Sequence, residues 1–295
     1  MTQSIETKTQ LPYNTLLDLF RQGNTDVIQA FGNHIHWGYW DSPTIADGST
    51  QDFVRAAEAL SAQVCDAAQI EDGQRILDTG CGFGGTIASL NDRFNNLDLV
   101  GLNISGKQLE RAREQVQAKA NNSIEFVEGD ACELPFADNS FDVVLAVECI
   151  FHFPSRVRFF QEARRVLRPG GRLALCDFIP AELVMPLVKG AYFLFGNAIV
   201  RTYGQGDFSY TLTNYQDLAR RSNLLPLREQ DITINTLPTY PMLRRLIRSI
   251  ENSPAGRASE MVTQSLQWAS RQGLIRYTIL SYEVPASEKN ARIKN

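Results

Sequence analysis

Arg75-Ile76-Leu77-Asp78-Thr79-Gly80-Cys81-Gly82-Phe83-Gly84-Gly85 reads as a buried strand that runs into a glycine loop and opens a helix, and the rest of the chain is arranged around it. Ile76 and Leu77 suit a strand covered on both faces, as in a parallel sheet. Glycines let main chain approach a ligand where a Cβ would clash, which makes Gly80 and Gly82 candidate binding positions. On that reading Gly80→Val abolishes binding and leaves the fold intact. The loop also turns unpaired N–H groups and the positive end of a helix dipole toward the ligand.

A Gly80-x-Gly82-x-x-Gly85 pattern is shared with dinucleotide-binding folds. Asp78 separates the alternatives: a carboxylate just before the first glycine repels a pyrophosphate, whereas it suits a ligand with an ammonium group and a cationic sulfur. With Asp78, Gly80, Gly82 and Gly84 in the order acidic-x-Gly-x-Gly-x-Gly, the stretch resembles motif I of the class I S-adenosylmethionine-dependent methyltransferases. A nicotinamide-dependent reductase is the other enzyme compatible with the glycines. It calls for an acid on the ribose and none ahead of the loop, and neither is found.

At 295 residues the chain can hold one large or two modest domains, and 43% hydrophobic with 21% charged residues is ordinary for a soluble globular protein. A net charge of -4 offers no global attraction to a polyanion, so nucleic acid is not an expected partner. The five cysteines are odd in number and form no C-x-x-C pair, which suggests neither a disulfide framework nor a zinc site, and no metal is expected. Reduced, buried thiols fit a cytoplasmic protein. The first eight residues, Met-Thr-Gln-Ser-Ile-Glu-Thr-Lys, carry no apolar core of a secretory signal.

Residues 1–12 are polar, and Tyr13–Phe20 looks like a short amphipathic helix. Asn33-His34-Ile35-His36-Trp37-Gly38-Tyr39-Trp40-Asp41 then gathers two of the three histidines and two of the three tryptophans. This run fits either a hydrophobic plug or a lid over a ligand. In the small-molecule methyltransferases that it resembles, such a stretch covers the cofactor, which makes Tyr39 and Trp40 candidate contacts. Asp52–Ala67 has Phe53, Ala56, Leu60 and Val64 at helical spacing.

From Arg75 onward strands and helices alternate as in a doubly wound, mostly parallel α/β sheet. Strands are expected at Leu97–Asn103, Ile124–Val127, Phe141–Val147, Arg172–Phe178, Glu229–Ile234 and Ile275–Val284, which with the motif strand makes seven. Helices are expected at Gly106–Lys119, Ser155–Leu167, Asn214–Ser222, Met242–Ile250 and Ser259–Arg271, and a turn at Arg168–Gly171. The near-continuous apolar run Leu183–Val200 interrupts the rhythm. Lys189 inside it would cost about 3 kcal/mol at the centre of a bilayer, so a lid lining an apolar substrate pocket is expected rather than stable membrane insertion. The whole reads as one class I methyltransferase (Rossmann-like) domain: an N-terminal helical lid over 1–70, a cofactor core over 71–180, a substrate-lid insertion after the fifth strand with its following helix and strand over 181–240, and C-terminal helices with the last strand over 241–295.

In such sheets ligands bind beyond the carboxyl ends of the strands, where the strand order reverses. Asn103 ends the second strand where the family carries Asp or Glu on the ribose hydroxyls. An amide oxygen can accept the same bond without charge assistance. Gly101-Leu102-Asn103-Ile104-Ser105 followed by Gln108 resembles the variant in tocopherol, sterol and sugar methyltransferases. That makes Ile104 and Gln108 further candidates, although Gln108 reads equally well as a solvated helix residue. The resemblance also puts Asp130 and the N–H of Ala131 on the adenine, and Val147 beside the cofactor. Phe141-Asp142-Val143-Val144 and Val166-Leu167-Arg168-Pro169-Gly170-Gly171 match family segments too, so that the likeness spans about Arg75 to Phe178.

Methyl transfer from a sulfonium is an in-line displacement, driven largely by positioning, and a base is needed only for a protonated nucleophile. His152, just after the fourth strand, has the right intrinsic pKa for that role. In related sugar and phenol O-methyltransferases a histidine here is the base, and an aspartate near the end of the fifth strand, here Asp177, accompanies it. The expected function is S-adenosylmethionine-dependent methylation of a hydroxyl on a small, largely apolar molecule. Carbon methylation of a prenyl, quinol or sterol-like acceptor, and a non-catalytic S-adenosylmethionine binder, are the alternatives. A homodimer is compatible with all of them.

Overall fold

β1 (Arg75–Thr79), β2 (Asp98–Asn103), β3 (Ser123–Glu128), β4 (Phe141–Val147), β5 (Leu167–Pro180), β6 (Leu225–Asp231) and β7 (Ile275–Glu283) form one sheet in the order 3-2-1-4-5-7-6. This is a computed structural model that describes residues 18–20, 22–23, 25–119, 121–251 and 253–286. The pairs β1–β2, β1–β4, β2–β3 and β4–β5 are parallel. β7 runs against β5, since Gly170 N–H donates to Val284 at one end and Ala181 N–H to Leu274 at the other. The sheet is therefore mixed but mostly parallel, as the alternation of strands and helices predicts. Ile76, Leu77, Leu99, Val100, Val143, Val144, Leu145, Leu173 and Leu175 have no exposed surface, which is why these strands read as continuous apolar runs.

Among the described residues the helices are α1 (Thr25–Phe31), α2 (Thr50–Ala67), α3 (Gly85–Arg93), α4 (Gly106–Gln115), α5 (Arg156–Val166), α6 (Met185–Tyr203), α7 (Leu212–Arg221), α8 (Thr233–Thr236), α9 (Thr239–Ile250) and α10 (Pro254–Arg271). Of the helix expected at Tyr13–Phe20, Asp18–Phe20 is helical and the remainder lies outside the described residues. Ser155 and Ser253 cap α5 and α10 by accepting from Arg158 and Gly256 N–H.

Several boundaries differ from the sequence expectation: α9 starts at Thr239 and not Met242, α10 at Pro254 and not Ser259, and three further differences have a visible cause. α4 stops at Gln115, not Lys119, because Asn91 takes over the next backbone groups: it donates to the Gln117 carbonyl at 2.9 Å and accepts from Lys119 N–H at 3.0 Å. The turn Arg168–Gly171 is absorbed into β5 as an irregularity. Phe141 pairs with Leu167 and Val143 with Arg172, so extra residues bulge from β5, and Gly170 takes φ +79°. β6 lies at Leu225–Asp231, not Glu229–Ile234. Asp231 ends it by accepting from Thr233 N–H at 2.9 Å, which starts α8. Nearly every β6 residue is exposed, so the strand shows no burial alternation to read.

The chain, expected as one domain, divides into two compact units, each assembled from separate stretches: one comprises the chain up to Leu60, Phe178–Leu212 and Asp231–Thr278, the other Ser61–Asp177, Thr213–Gln230 and the chain from Ile279. In the first, Val27, Ala30, Phe31, Trp40, Phe53, Ala56, Met242 and Leu246 form a core. Trp37 packs edge-on against Phe178 and Tyr240. Beside them His36 Nε2 lies 3.0 Å from His34 Nδ1, His34 Nε2 is 2.7 Å from the Glu58 carboxylate, and His36 Nδ1 is 2.8 Å from the Trp37 carbonyl. Also in this unit, α6 exposes Leu187, Phe193, Leu194 and Phe195. The axis turns by 87° between Glu182–Val188 and Tyr192–Tyr203, and Gly190 lies in the bend. No single helix among the described residues is long and apolar enough to cross a membrane. The second unit carries most of the sheet with α3, α4, α5 and nearly all of α7.

Candidate active site

The strand order reverses between β1 and β4, and the carboxyl ends of β3, β2, β1, β4 and β5 bring Asp130, Asn103, Asp78, Val147 and Asp177 into one row along the edge of the second unit. The glycine loop leaves β1 under three restraints. Thr79 Oγ1 donates to the Leu145 carbonyl at 2.6 Å. Gly80 and Cys81 N–H both donate to the Leu102 carbonyl, and the Cys149 thiol donates to the Thr79 carbonyl at 3.0 Å. Gly80, Gly82 and Gly84 all have φ between +56° and +82°, the left-handed region that glycine enters without strain.

These glycines differ in what surrounds them. A Cβ on Gly82 would meet only Gln108 Oε1, at 4.0 Å, so its face is open for a ligand. A Cβ on Gly80 would fall 2.8 Å from the Cys149 Cβ and 2.9 Å from its Sγ. Gly80 is therefore required by packing inside the protein, which corrects the expectation that Gly80→Val leaves the fold intact.

Asp78 is 2% exposed, and its Oδ2 has no hydrogen-bond partner among the described residues. Burial pushes its carboxyl up to about 8. Burying an unpartnered acceptor is costly, and a cationic ligand would relieve that cost. Asn103 and Gln108, both buried, bind each other through Asn103 Nδ2 and Gln108 Oε1 at 2.9 Å. Of the two readings of Gln108 the structure takes the enclosed one. The pairing leaves the Asn103 oxygen and the Gln108 amide nitrogen without a hydrogen bond among the described residues, an acceptor and a donor suited to ribose hydroxyls. Ile104 is 40% exposed next to them. Asp130 uses Oδ1 on Cys132 N–H at 2.8 Å, and Ala131 is buried beside it. These features fit a cationic nucleoside such as S-adenosylmethionine on an observation of the chain itself: an orphaned buried carboxylate beside an open glycine.

Tyr39 and Trp40 belong to the first unit. Trp40 is a core residue there. Its indole N–H donates to Asp52 at 2.8 Å, and its backbone is bound on both sides by Asn235. Trp37 is buried as well. Tyr39 is partly exposed and fixed through its N–H to Ala56.

Beyond β4, His152 ends the short 3-10 turn Ile150–His152, partly exposed, with its ring 4.3 Å from that of buried Phe151. Asp177 has no exposed surface, and its Oδ2 accepts from Arg156 Nη2 at 2.9 Å and from the Tyr215 hydroxyl. Sequence reasoning missed Arg156, Tyr215 and Glu148. No local pattern marks a helix-start arginine as buried. Glu148 is 9% exposed at φ +50°, a conformation that non-glycine residues seldom adopt, and only the backbone reveals it.

The family model of the methyltransferase domain matches residues 77–175. The methyltransferase GfsG of Streptomyces halstedii is 32% identical over 228 residues, 76% of this chain and 77% of that protein. The 27-O-demethylrifamycin SV methyltransferase of Amycolatopsis mediterranei is 36% identical over 220 residues, 72% of this chain and 74% of that protein. Among solved structures, mycolic acid cyclopropane synthase CmaA1, complexed with SAH and CTAB, superposes with a TM-score of 0.76 over 94% of this chain and 97% of that one at 16% identity, a likeness of fold. With the acidic-glycine loop, the row of strand ends and these matches together, the chain belongs to the class I S-adenosylmethionine-dependent methyltransferases.

Proposed function

We propose that this enzyme methylates a hydroxyl group of a small, largely apolar molecule, with His152 as general base. The observation that carries the reading is His152 itself: a partly exposed imidazole in the turn that follows β4, at the carboxyl edge of the sheet and one strand away from the unpartnered Asp78. When bound, the cofactor supplies a methyl group activated by a positively charged sulfur. Asp78, Gly80, Gly82, Asn103, Ile104, Gln108, Asp130, Ala131 and Val147 would hold it, with Asp78 facing positive charge and Asn103 with Gln108 facing hydroxyls. An imidazole nitrogen of His152 accepts the proton of the acceptor hydroxyl as the oxygen attacks. An oxygen acceptor is supported by the relative from Amycolatopsis mediterranei, which is named for methylation at an oxygen. The net charge of -4 favours a small molecule over nucleic acid.

The test is His152→Ala, assayed with labelled methyl donor against a panel of hydroxylated apolar acceptors. Turnover should fall by about two to four powers of ten at unchanged cofactor affinity, and less at high pH, where the hydroxyl ionises unaided. Near-normal turnover across the pH range would overturn the base assignment and favour a carbon nucleophile. A wild-type protein that binds the cofactor and methylates nothing in the panel would favour a binder.

A further inference from the structure

We infer that Arg156, clamped between Asp177 and Tyr215, positions the His152 turn for catalysis, and that Asp177 acts on the reaction through this clamp. The inference rests on the reading of His152 as the base.

The geometry is a closed triangle. Arg156 Nη2 donates to Asp177 Oδ2 at 2.9 Å, Arg156 Nε lies 2.9 Å from the Tyr215 oxygen, and the Tyr215 hydroxyl donates to the same Asp177 oxygen. All three residues are at most 2% exposed. Burial alone would lower the Arg156 guanidinium, but the Asp177 charge and the Tyr215 contact more than offset it, so its pKa is raised. Burial and the Asp177 charge raise the Tyr215 phenol well above its usual value and keep it a neutral donor. A buried ion pair stabilises a fold little against an apolar replacement of equal volume, because desolvation consumes most of the attraction. Its distinctive effect is to fix one geometry.

That geometry acts on the segment that carries His152. Arg156 is the first residue of α5, four positions after His152. Val147 pairs with Cys176, so Asp177 stands across from the first residue of that segment. At its start the segment is held by the Cys149 thiol on the Thr79 carbonyl. At its end it is held by the Cys132 thiol on the Ser155 carbonyl, by the Ser155 cap, and by Phe153 edge-on to Phe159 with ring centroids 4.9 Å apart. Arg156 adds a charged fastening. It ties the end of the turn to β5 through Asp177 and to α7 through Tyr215.

Tyr215→Phe removes a single oxygen and should fold; Arg156→Lys keeps the charge and loses the fork. Each should lower kcat by about tenfold or more, leave cofactor Kd within twofold, and speed hydrogen exchange at the amides of Ile150–Phe153. Introduced into His152→Ala, neither should lower turnover further, because a positioning residue has nothing left to position. A role in stability alone would reduce turnover equally in both backgrounds, and that result overturns the inference. So does unchanged exchange at Ile150–Phe153 in folded Tyr215→Phe protein. If His152→Ala is itself near wild type, the base reading has failed, and faster exchange with unchanged kcat in Tyr215→Phe would show the clamp to be structural.

Discussion

Asp78 sets two properties of the protein against each other. Its carboxyl is raised to about 8 in the folded chain against 3.8 in the unfolded one. The folded state therefore holds the extra proton between those values. The stability it contributes is full below about pH 4 and is lost as pH rises through about 8. Asp78→Asn should remove this loss, so that cofactor-free variant melts several degrees above wild type at pH 8 and level with it near pH 4, while cofactor affinity falls by roughly 10- to 150-fold, the worth of about 1.5–3 kcal/mol for a charged hydrogen bond. Scanning calorimetry across pH and titration calorimetry check the two halves, and a variant no more stable at pH 8 would refute the account. His36 titrates in the opposite sense. Burial first, and then His34, lowers it from 6.5 to about 3, so the stability tied to it is present above pH 6.5 and lost as pH falls toward 3. In His36→Asn the decline of unfolding free energy between pH 6.5 and 3 should be shallower by up to one proton, about 1.4 kcal/mol per pH unit. An identical slope would mean that His36 is not the titrating group.

At the level of elements, the loop between β1 and α3 distributes its glycines between packing and binding. Gly82→Ala should cost about 1–2 kcal/mol for a left-handed alanine and weaken cofactor binding in a protein that still folds. Gly80→Val should fail to fold or melt far lower, because the Cys149 side chain occupies the space. Circular dichroism melts with cofactor titration distinguish the two, and equal losses from both would contradict the assignment. This contrast also marks what the sequence disclosed. The order Asp78-x-Gly80-x-Gly82 located the loop and its ligand chemistry, and runs such as Phe141–Val147 located the buried strands, because both signals lie within a few residues. What each glycine touches depends on Cys149, some seventy positions later, and no local pattern carries that. Asp177 was legible as a residue at the end of β5, yet its partners Arg156 and Tyr215 come from two helices. Edge strand β6 begins at Leu225, ahead of the Glu229 that the sequence predicts, and its exposed side chains leave no alternation.

Across the whole molecule, all five cysteines are reduced and buried, and all five fall between Ser61 and Asp177, in the unit that carries the cofactor row. Burial raises the Cys81 and Cys149 thiols well above their usual range and pushes Cys132 up to about 11. A thiol of this kind reacts only while the structure around it is open. The cysteines are thus a built-in clock for that unit and are silent about the other. Folded protein should consume an aromatic disulfide reagent slowly and denatured protein at once. Saturating S-adenosylmethionine should slow the folded reaction by a factor approaching one plus the ratio of cofactor concentration to Kd, if opening releases the cofactor. Fast reaction in the absence of denaturant, or no slowing by cofactor, would contradict this. Timed thiol consumption would then report cofactor affinity from the protein alone, before any acceptor is known.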